Sequence, residues 1–304
     1  MREIVVISGK GGTGKTSITA AFAHLAEKAM VCDLDVDAPD LHMLLNPVVK
    51  EEYAFRSGNE AVINQERCSG CGLCSELCRF EAVREDQGTY AVDSLRCEGC
   101  KVCVHFCPEQ AVDFVQKHCG QWFASTMRFG PMIHARLFPG EENSGRLVAL
   151  LKKEARMRAK ALELSLILCD GTPGIGCPVI SSLSGANLAV VVTEPTPSGR
   201  HDLERVADLC RHFRIPVAVI VNKFDLNPDN SREISLYCLG QGHDLLGMLP
   251  YDEHVIRAMI EGRCVTEYAD SALGDELRLI WKKITAHPAY PVGPLRFEPP
   301  GELP

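Results

Sequence analysis

A loop near the start of the chain contains residues that could hold a phosphate group. The segment SGKGGTGKTS, residues 8–17, fits the pattern G-x-x-x-x-G-K-[ST] and follows the apolar run Ile4–Ile7. In such a loop backbone N–H groups turn towards phosphate oxygens, the second lysine reaches the outer phosphates, and the threonine hydroxyl ligates magnesium. The residues predicted to bind the nucleotide here are Gly9, Lys10, Gly11, Gly12, Thr13, Gly14, Lys15, Thr16 and Ser17.

Carboxylates follow two predicted strands. Asp35, Asp37 and Asp40 come after the strand predicted at Met30–Leu34, and Asp170 comes after the strand predicted at Leu164–Cys169. Ligands of α/β proteins bind at the carboxyl ends of parallel strands, and like charges gathered there need a cation among them. We therefore expect a magnesium site formed by Thr16, Asp35 and Asp170.

A second chemistry is carried by cysteines. Eight of the fifteen cysteines form two copies of C-x2-C-x2-C-x3-C, and Ala-Val follows both copies at the same offset. The copies are Cys68, Cys71, Cys74, Cys78 and Cys97, Cys100, Cys103, Cys107. This internal repeat resembles a bacterial two-cluster ferredoxin, in which three thiolates of one run and the last thiolate of the other hold each 4Fe-4S cluster. The alternative, a zinc module, would prefer two CxxC pairs.

The resemblance assigns the eight cysteines to two clusters. The first cluster would take Cys68, Cys71, Cys74 and Cys107, and the second Cys97, Cys100, Cys103 and Cys78. The second repeat keeps the proline after its last cysteine, Pro108, whereas the first has Arg79. A positive side chain beside Cys78 would raise the potential of the nearer cluster.

Bulk composition limits the class of protein. The chain has 304 residues, 46% of them hydrophobic, and a net charge of -8 with a pI near 5.7. An acidic chain is not expected to bind nucleic acid or an anionic membrane nonspecifically. No apolar run approaches the roughly 20 residues that span a bilayer. Met1 leads straight into a predicted strand without a charged signal-peptide start, so we expect a cytoplasmic protein. That compartment keeps thiols reduced, so the fifteen cysteines indicate metal binding rather than disulfides.

The form K-G-G-x-G-K-T, with its early lysine Lys10, resembles the deviant Walker A loop of the MinD/ParA-like ATPases, a group that includes the nitrogenase iron protein and the Mrp carriers. The resemblance implies that Lys10 reaches the phosphates of a partner subunit's nucleotide; the alternative is a solvated lysine.

The resemblance also implies that Asp35 orients the attacking water and that Asp170 binds magnesium through water. Asp37 or Asp40 would lie near magnesium or the dimer interface, or else in a solvated turn. Gly171–Gly174 resemble switch II.

Seven cysteines lie outside the repeats. In the nitrogenase iron protein a switch-II cysteine holds a cluster that bridges two subunits, which suggests that role, or redox sensing, for Cys177, with Cys119 as the nearest second ligand. The alternative is that Cys177 is a small buried apolar residue. The others are expected to be structural: Cys32, Cys169, Cys210, Cys238 and Cys264.

Two later segments are candidates for base recognition. Asn222–Asp225 resembles the NKxD guanine reader of GTPases. In MinD-like ATPases an asparagine at this place contacts adenine, and Leu249–His254, which includes Pro250, resembles their second base-side loop. The resemblance favours Mg-ATP as the nucleotide.

The remaining pattern predicts an α/β fold, a parallel-sheet P-loop NTPase similar to MinD and the nitrogenase iron protein, with an inserted small α+β ferredoxin-like domain. The predicted domains are 1–60 and 117–288 for the ATPase, 61–116 for the insert, and 289–304 for a Pro-rich tail. Further strands are predicted at Ile4–Ser8, Leu188–Thr193 and Val217–Asn222, and helices at Lys15–Glu27, Ser144–Leu162 and Ser198–Phe213. A helix at Leu273–Ile284 is expected to dock on the core rather than to anchor the chain to a membrane.

These features predict an ATPase that dimerises on ATP, with itself or with a related ATPase. It would couple the nucleotide cycle to electron transfer towards a redox partner protein through two 4Fe-4S clusters. One alternative is an assembly or carrier factor for iron–sulfur or iron–molybdenum cofactors. Another is a MinD/ParA-like spatial organiser with redox-sensing clusters.

Overall fold

The computed structural model describes residues 1–268 and 271–289, in two compact units. Among the described residues, the first unit comprises Met1–Glu52, Trp122–Arg136, 144–268 and 271–289; the second comprises Tyr53–Gln121 and Leu137–Asn143. The range 61–116 predicted as an insert lies within the second unit. The predicted tail, 289–304, lies outside the described residues except for its first residue.

Strands and helices alternate over most of the chain. The strands are β1 (Arg2–Ile7), β2 (Ala29–Asp33), β3 (Val48–Ile63), β4 (Val83–Asp86), β5 (Thr89–Val92), β6 (Val112–Met127), β7 (Gly130–Leu137), β8 (Leu166–Asp170), β9 (Leu188–Thr193), β10 (Val217–Asn222) and β11 (Asp244–Leu249). The helices are α1 (Lys15–Leu25), α2 (Leu41–Leu45), α3 (Leu73–Glu76), α4 (Val102–Phe106), α5 (Ser144–Ala161), α6 (Cys177–Leu183), α7 (Pro197–His212), α8 (Pro228–Gln241), α9 (Glu253–Ile260), α10 (Val265–Tyr268) and α11 (Ala272–Ala286).

The main sheet has the order β11-β10-β9-β1-β8-β2-β7-β6-β3, and the strands from β11 to β7 pair in parallel. Ile4–Ile7 in the central strand β1 are fully buried, as expected for a strand covered on both faces. The predicted parallel α/β sheet is confirmed. In this arrangement the carboxyl ends of β1, β2 and β8 lie at one edge, where the register pairs Asp33 with Asp170.

The five predicted strands correspond to β1, β2, β8, β9 and β10, and the three predicted helices to α1, α5 and α7, with ends that differ by two residues or fewer. Strands β3, β6, β7 and β11 were not predicted, although they extend both sides of the sheet. Helix α11 docks on the core as expected: Leu277 is buried, and Trp281 lies 5.2 Å from the Phe22 ring. No helix among residues 1–268 and 271–289 is long and apolar enough to cross a bilayer.

The second unit has a small apolar core of its own. Ala61, Ile63, Val83 and Val112 form this core, and the antiparallel hairpin β4–β5 pairs Val83 with Val92. Six of the eight repeat cysteines pack against it. This cluster is a small core for a folded unit, so what the cysteines bind would contribute to its stability.

A buried histidine in β7 should make the first unit sensitive to acid. Burial, with a smaller contribution from His42, lowers the pKa of His134 to about 4. Its Nε2 lies 2.9 Å from the Ser125 hydroxyl, and its ring stacks on Phe123. Because the unfolded chain takes up this proton near pH 6.5, stability should be complete above that pH and fall by about 1 kcal/mol per pH unit towards pH 4.

The variant His134→Phe isolates this effect, since it keeps the ring packing and removes the titrating group. Urea unfolding between pH 7.5 and 5 should show a shallower pH dependence for the variant than for the wild type. Equal slopes for the two proteins would contradict the prediction.

Candidate nucleotide and cysteine sites

The phosphate loop connects β1 to α1 and depends on glycine at several points. Gly12 and Gly14 have φ values of 80° and 88°, in the left-handed region that other residues avoid. A Cβ atom on Gly9 would lie 2.2 Å from Cβ of Asp202, so no larger residue fits there. These constraints turn the loop around the start of α1, where Lys15 is the first helical residue.

Lys15 faces two of the predicted carboxylates. Its Nζ atom lies 2.9 Å from Asp170 Oδ1 and 3.5 Å from Asp35 Oδ2. Burial would lower the pKa of Lys15, but Asp170 and Asp35 raise it above the ordinary value. The Thr16 hydroxyl donates to Asp170 Oδ2 over 2.8 Å. The structure therefore brings Lys15, Thr16, Asp35 and Asp170 together at one edge of the sheet.

Asp33, the last residue of β2, is a site residue that the sequence interpretation missed. It is 1% exposed, and its Oδ2 atom is buried and accepts no hydrogen bond within the described part of the chain. Burial and the neighbouring Asp170 raise the pKa of Asp33 well above its usual range. The sequence carries one partial signal, the D-x-D pair of Asp33 and Asp35, which does not say which carboxylate is buried.

A divalent cation fits this group of carboxylates, since an unpaired buried oxygen and three acidic side chains face a single lysine. Among residues 1–268 and 271–289, no three His, Cys, Asp or Glu side chains are arranged to hold one metal ion by themselves. That is compatible with magnesium at a nucleotide site, where one or two protein ligands are completed by phosphates and water.

A cavity of about 670 Å³ extends from the loop, within the size range of small-molecule sites. The predicted base-side residues Asn222 and Pro250 line it, and so do Asp37 and Asp40 at its exposed rim. The Asn222 side chain donates to the Thr13 carbonyl over 2.8 Å. Asp225, the last residue of the NKxD-like segment, instead accepts the backbone N–H of Tyr251 over 2.7 Å.

Lys10 lies at the outer edge of the loop, with one-third of its side chain exposed. Its Nζ atom is 3.3 Å from Glu194 Oε2 and 3.5 Å from the hydroxyls of Thr196 and Ser198. Lys10 is thus held by residues at the end of β9 and the start of α7 in its own subunit.

Comparison with known proteins agrees with this site. A family model described as the CobQ/CobB/MinD/ParA nucleotide binding domain matches residues 4–265. The chain belongs to this family. An uncharacterized protein of Methanocaldococcus jannaschii is 34% identical over 233 residues, 75% of this chain and 80% of the relative. A second uncharacterized protein of the same organism is 25% identical over 299 residues, 89% of this chain and 93% of the relative.

Solved structures show the same fold. The cell division ATPase MinD of Pyrococcus furiosus superposes with a TM-score of 0.55 at 15% identity, over 94% of this chain and 98% of that one. MinD of Pyrococcus horikoshii, solved with Mg-ADP, gives 0.55 at 16% identity, over 93% and 95%. The MinD-like fold is confirmed.

In this CobQ/CobB/MinD/ParA family member the eight repeat cysteines line two cavities of the second unit. One cavity is lined by Cys68, Cys71, Cys74 and Cys107, and the other by Cys78, Cys97, Cys100 and Cys103. Each therefore combines three cysteines of one repeat with the last cysteine of the other, as the crossed assignment requires. The backbone N–H groups of Ala82 and Ala111 point at Cys78 Sγ and Cys107 Sγ, over 3.3 and 3.2 Å.

Each cysteine set offers the number and type of ligand that an iron–sulfur cluster takes. All fifteen cysteines, each within the described residues, are free thiols. Among residues 1–268 and 271–289, no three His, Cys, Asp or Glu side chains are arranged to hold one metal ion, and a four-iron cluster takes each of its four thiolates on a different iron. N–H groups directed at sulfur stabilise the negative charge of such a cluster.

The cysteines of this chain that lie outside the repeats divide into exposed and buried residues. Cys177 is exposed at the first position of α6, so the interpretation of it as a small buried residue is wrong. Cys119 is buried in the second unit and donates to the Ser57 carbonyl over 3.1 Å. The five cysteines expected to be structural are buried: Cys32, Cys169, Cys210, Cys238 and Cys264.

Proposed function

We propose that this protein is an ATPase that dimerises on ATP and couples its nucleotide cycle to electron transfer through two 4Fe-4S clusters. The observation that carries the proposal is the presence, in one chain, of a P-loop site with its acidic partners and of two cavities that are each lined by four cysteines.

For hydrolysis, Lys15 and the loop N–H groups would hold the outer phosphates, while Thr16 and Asp170 position magnesium. Magnesium, when bound, would polarise the phosphate oxygens and offset their charge. Asp35 would orient the attacking water. Burial raises the pKa of Asp35. Lys15, whose Nζ atom lies 3.5 Å from Asp35 Oδ2, partly opposes this rise.

The geometry around the base favours ATP over GTP. An NKxD aspartate reads guanine by accepting the N–H groups on its edge, which requires a free carboxylate. Asp225 already accepts the Tyr251 N–H over 2.7 Å and so braces the loop that contains Pro250. Asn222 and Pro250 remain on the cavity wall as base-side contacts.

For electron transfer, Cys68, Cys71, Cys74 and Cys107 would hold one cluster, and Cys78, Cys97, Cys100 and Cys103 the other. Each cluster, when bound, would supply reversible one-electron transfer. Cys71 and Cys100 are the exposed member of each set, which gives each site an edge that a redox partner protein could approach.

The start of α5 offers a route from nucleotide to cysteines. Burial raises the pKa of Asp37 on the nucleotide cavity, and the nearby Ser144 hydroxyl partly opposes this rise. The next residue, Gly145, lies against Cys177 at the start of α6. Ser144 directly follows Leu137–Asn143, a segment of the second unit that is anchored by a Lys117–Glu141 ion pair of 3.0 Å. Movement of the Asp37 segment or of the start of α6 would therefore act on α5, whose chain continues directly from a segment of the cysteine unit.

The dimer would form from two copies of this chain or from this chain and a related ATPase. Two distinct relatives in one organism support the second possibility.

The test is an EPR-monitored redox titration of anaerobically prepared protein without nucleotide, with MgADP and with a nonhydrolysable MgATP analogue. A midpoint shift of about 60 mV or more between nucleotide states, roughly tenfold in equilibrium constant for one electron, is expected. The variant Ser144→Ala should bind nucleotide normally and show a smaller shift. Identical potentials in all three states of the wild type would overturn the coupling.

A second candidate is a spatial organiser that positions a partner by ATP-driven dimerisation, with the clusters as redox sensors. The similarity in fold to MinD, a cell division ATPase, favours it. Nucleotide-dependent patterning of the labelled protein in cells, together with unshifted cluster potentials, would support this candidate over electron transfer.

A further inference from the structure

We infer that Glu194 acts as a latch that holds Lys10 in its own subunit and so sets the threshold for nucleotide-dependent dimerisation. The inference rests on the proposed function, in which Lys10 reaches the phosphates of the partner's nucleotide.

Glu194 follows the last residue of β9 and pairs with two lysines at once. Its Oε2 atom lies 3.3 Å from Lys10 Nζ, and its Oε1 atom lies 2.6 Å from Lys223 Nζ. Lys223 comes from the NKxD-like segment and also donates to the Gly12 carbonyl over 3.2 Å. One carboxylate therefore pairs with Lys10 of the phosphate loop and with Lys223 of the NKxD-like segment.

The two lysines are held unequally. Lys10 makes longer contacts, at 3.3 Å to Glu194 and 3.5 Å to the Thr196 and Ser198 hydroxyls, and is 34% exposed. Lys223 makes the short contact, and the Glu194 carboxylate is only 15% exposed. When Lys10 leaves, Lys223 still pairs with Glu194, so release does not strand a poorly solvated negative charge.

This arrangement suits a lysine that must change partners. The ion pair between Lys10 and Glu194 is partly exposed and therefore weak. A polyphosphate presented by a second subunit can displace Glu194 from Lys10. The phosphates of ATP carry more negative charge than those of ADP. The latch would therefore open more readily towards ATP and keep the ADP-bound chain monomeric.

The test is the dimer dissociation constant, measured by analytical ultracentrifugation at saturating nonhydrolysable MgATP analogue. Saturation of each variant is verified by its own nucleotide titration, because Glu194 and Lys223 lie beside the phosphate loop. The variant Glu194→Gln should dimerise about two- to fivefold more tightly than the wild type, and MgADP should induce more dimer in the variant than in the wild type. The variant Lys223→Met leaves Glu194 with Lys10 alone and should dimerise more weakly.

Glu204→Gln is the matched control, because it removes the same charge from the exposed face of α7, where Glu204 pairs with Arg200; it should leave dimerisation unchanged. If Lys10→Ala abolishes the dimer while Glu194→Gln leaves its affinity unchanged or weaker, the latch is wrong and the proposed function stands. If the wild type does not dimerise with the analogue, or dimerises as well without Lys10, the proposed dimer fails and the latch fails with it.

Discussion

Replacing Asp170 by asparagine should lower kcat for ATP hydrolysis by about 10²–10³-fold and leave the fold intact. Asp170 is fully buried, and its carboxylate contacts Lys15, Thr16 and Thr19 at 2.9, 2.8 and 2.9 Å. Asparagine keeps the shape and can still accept one hydrogen bond. It removes the charge that would attract magnesium and balance Lys15.

The measurement is steady-state phosphate release with thermal unfolding of the same preparations. Asp208→Asn is the control, since it makes the same change on the exposed surface of α7, next to Arg211. Asp170→Asn should retain nucleotide binding in the absence of magnesium, because Lys15 and the loop are unchanged. A variant that hydrolyses ATP within threefold of the wild type would show that Asp170 does not position the magnesium used in catalysis.

The nucleotide site was largely predictable because its residues lie next to each other in sequence or directly after buried strands. The loop from Gly9 to Thr16 and the strand-end residue Asp170 needed only motif spacing and strand periodicity. Asp33 was missed for a physical reason: within a strand end that reads Asp-Leu-Asp, only the register against β8 decides which carboxylate is buried opposite Asp170.

The strands β3 and β6 were missed because each violates the pattern of a buried parallel strand. Most residues in the first half of β3 are exposed, and β6 mixes exposed and buried positions over sixteen residues. Such strands are fixed by pairing with distant segments, which a local pattern does not contain. Cys177 is a similar case, since its exposure depends on the start of α6 after switch II rather than on its neighbours in sequence.

The crossed assignment of the cysteines predicts which single substitutions remove the same cluster. Replacing Cys107 by serine should remove the cluster of the first repeat, although Cys107 belongs to the second, because it lines the same cavity as Cys68, Cys71 and Cys74. Iron content should fall from about eight to about four atoms per chain if a three-thiolate site does not keep its cluster. The remaining EPR spectrum should match that of Cys71→Ser.

Cys78→Ser should lose the other cluster and match Cys100→Ser, since both residues line the second cavity. Cys119→Ser is the control: this thiol is buried in the same unit but lines neither cavity, and all iron should be retained.

If Cys107→Ser matched Cys100→Ser instead, each repeat would hold its own cluster and the crossed arrangement would be wrong. If the wild type, purified anaerobically and reconstituted with iron and sulfide, held zinc or no metal, the clusters themselves would be excluded. ATP hydrolysis would then have to serve a purpose other than electron transfer, because the fold offers no second set of thiolates among residues 1–268 and 271–289 that could replace these eight.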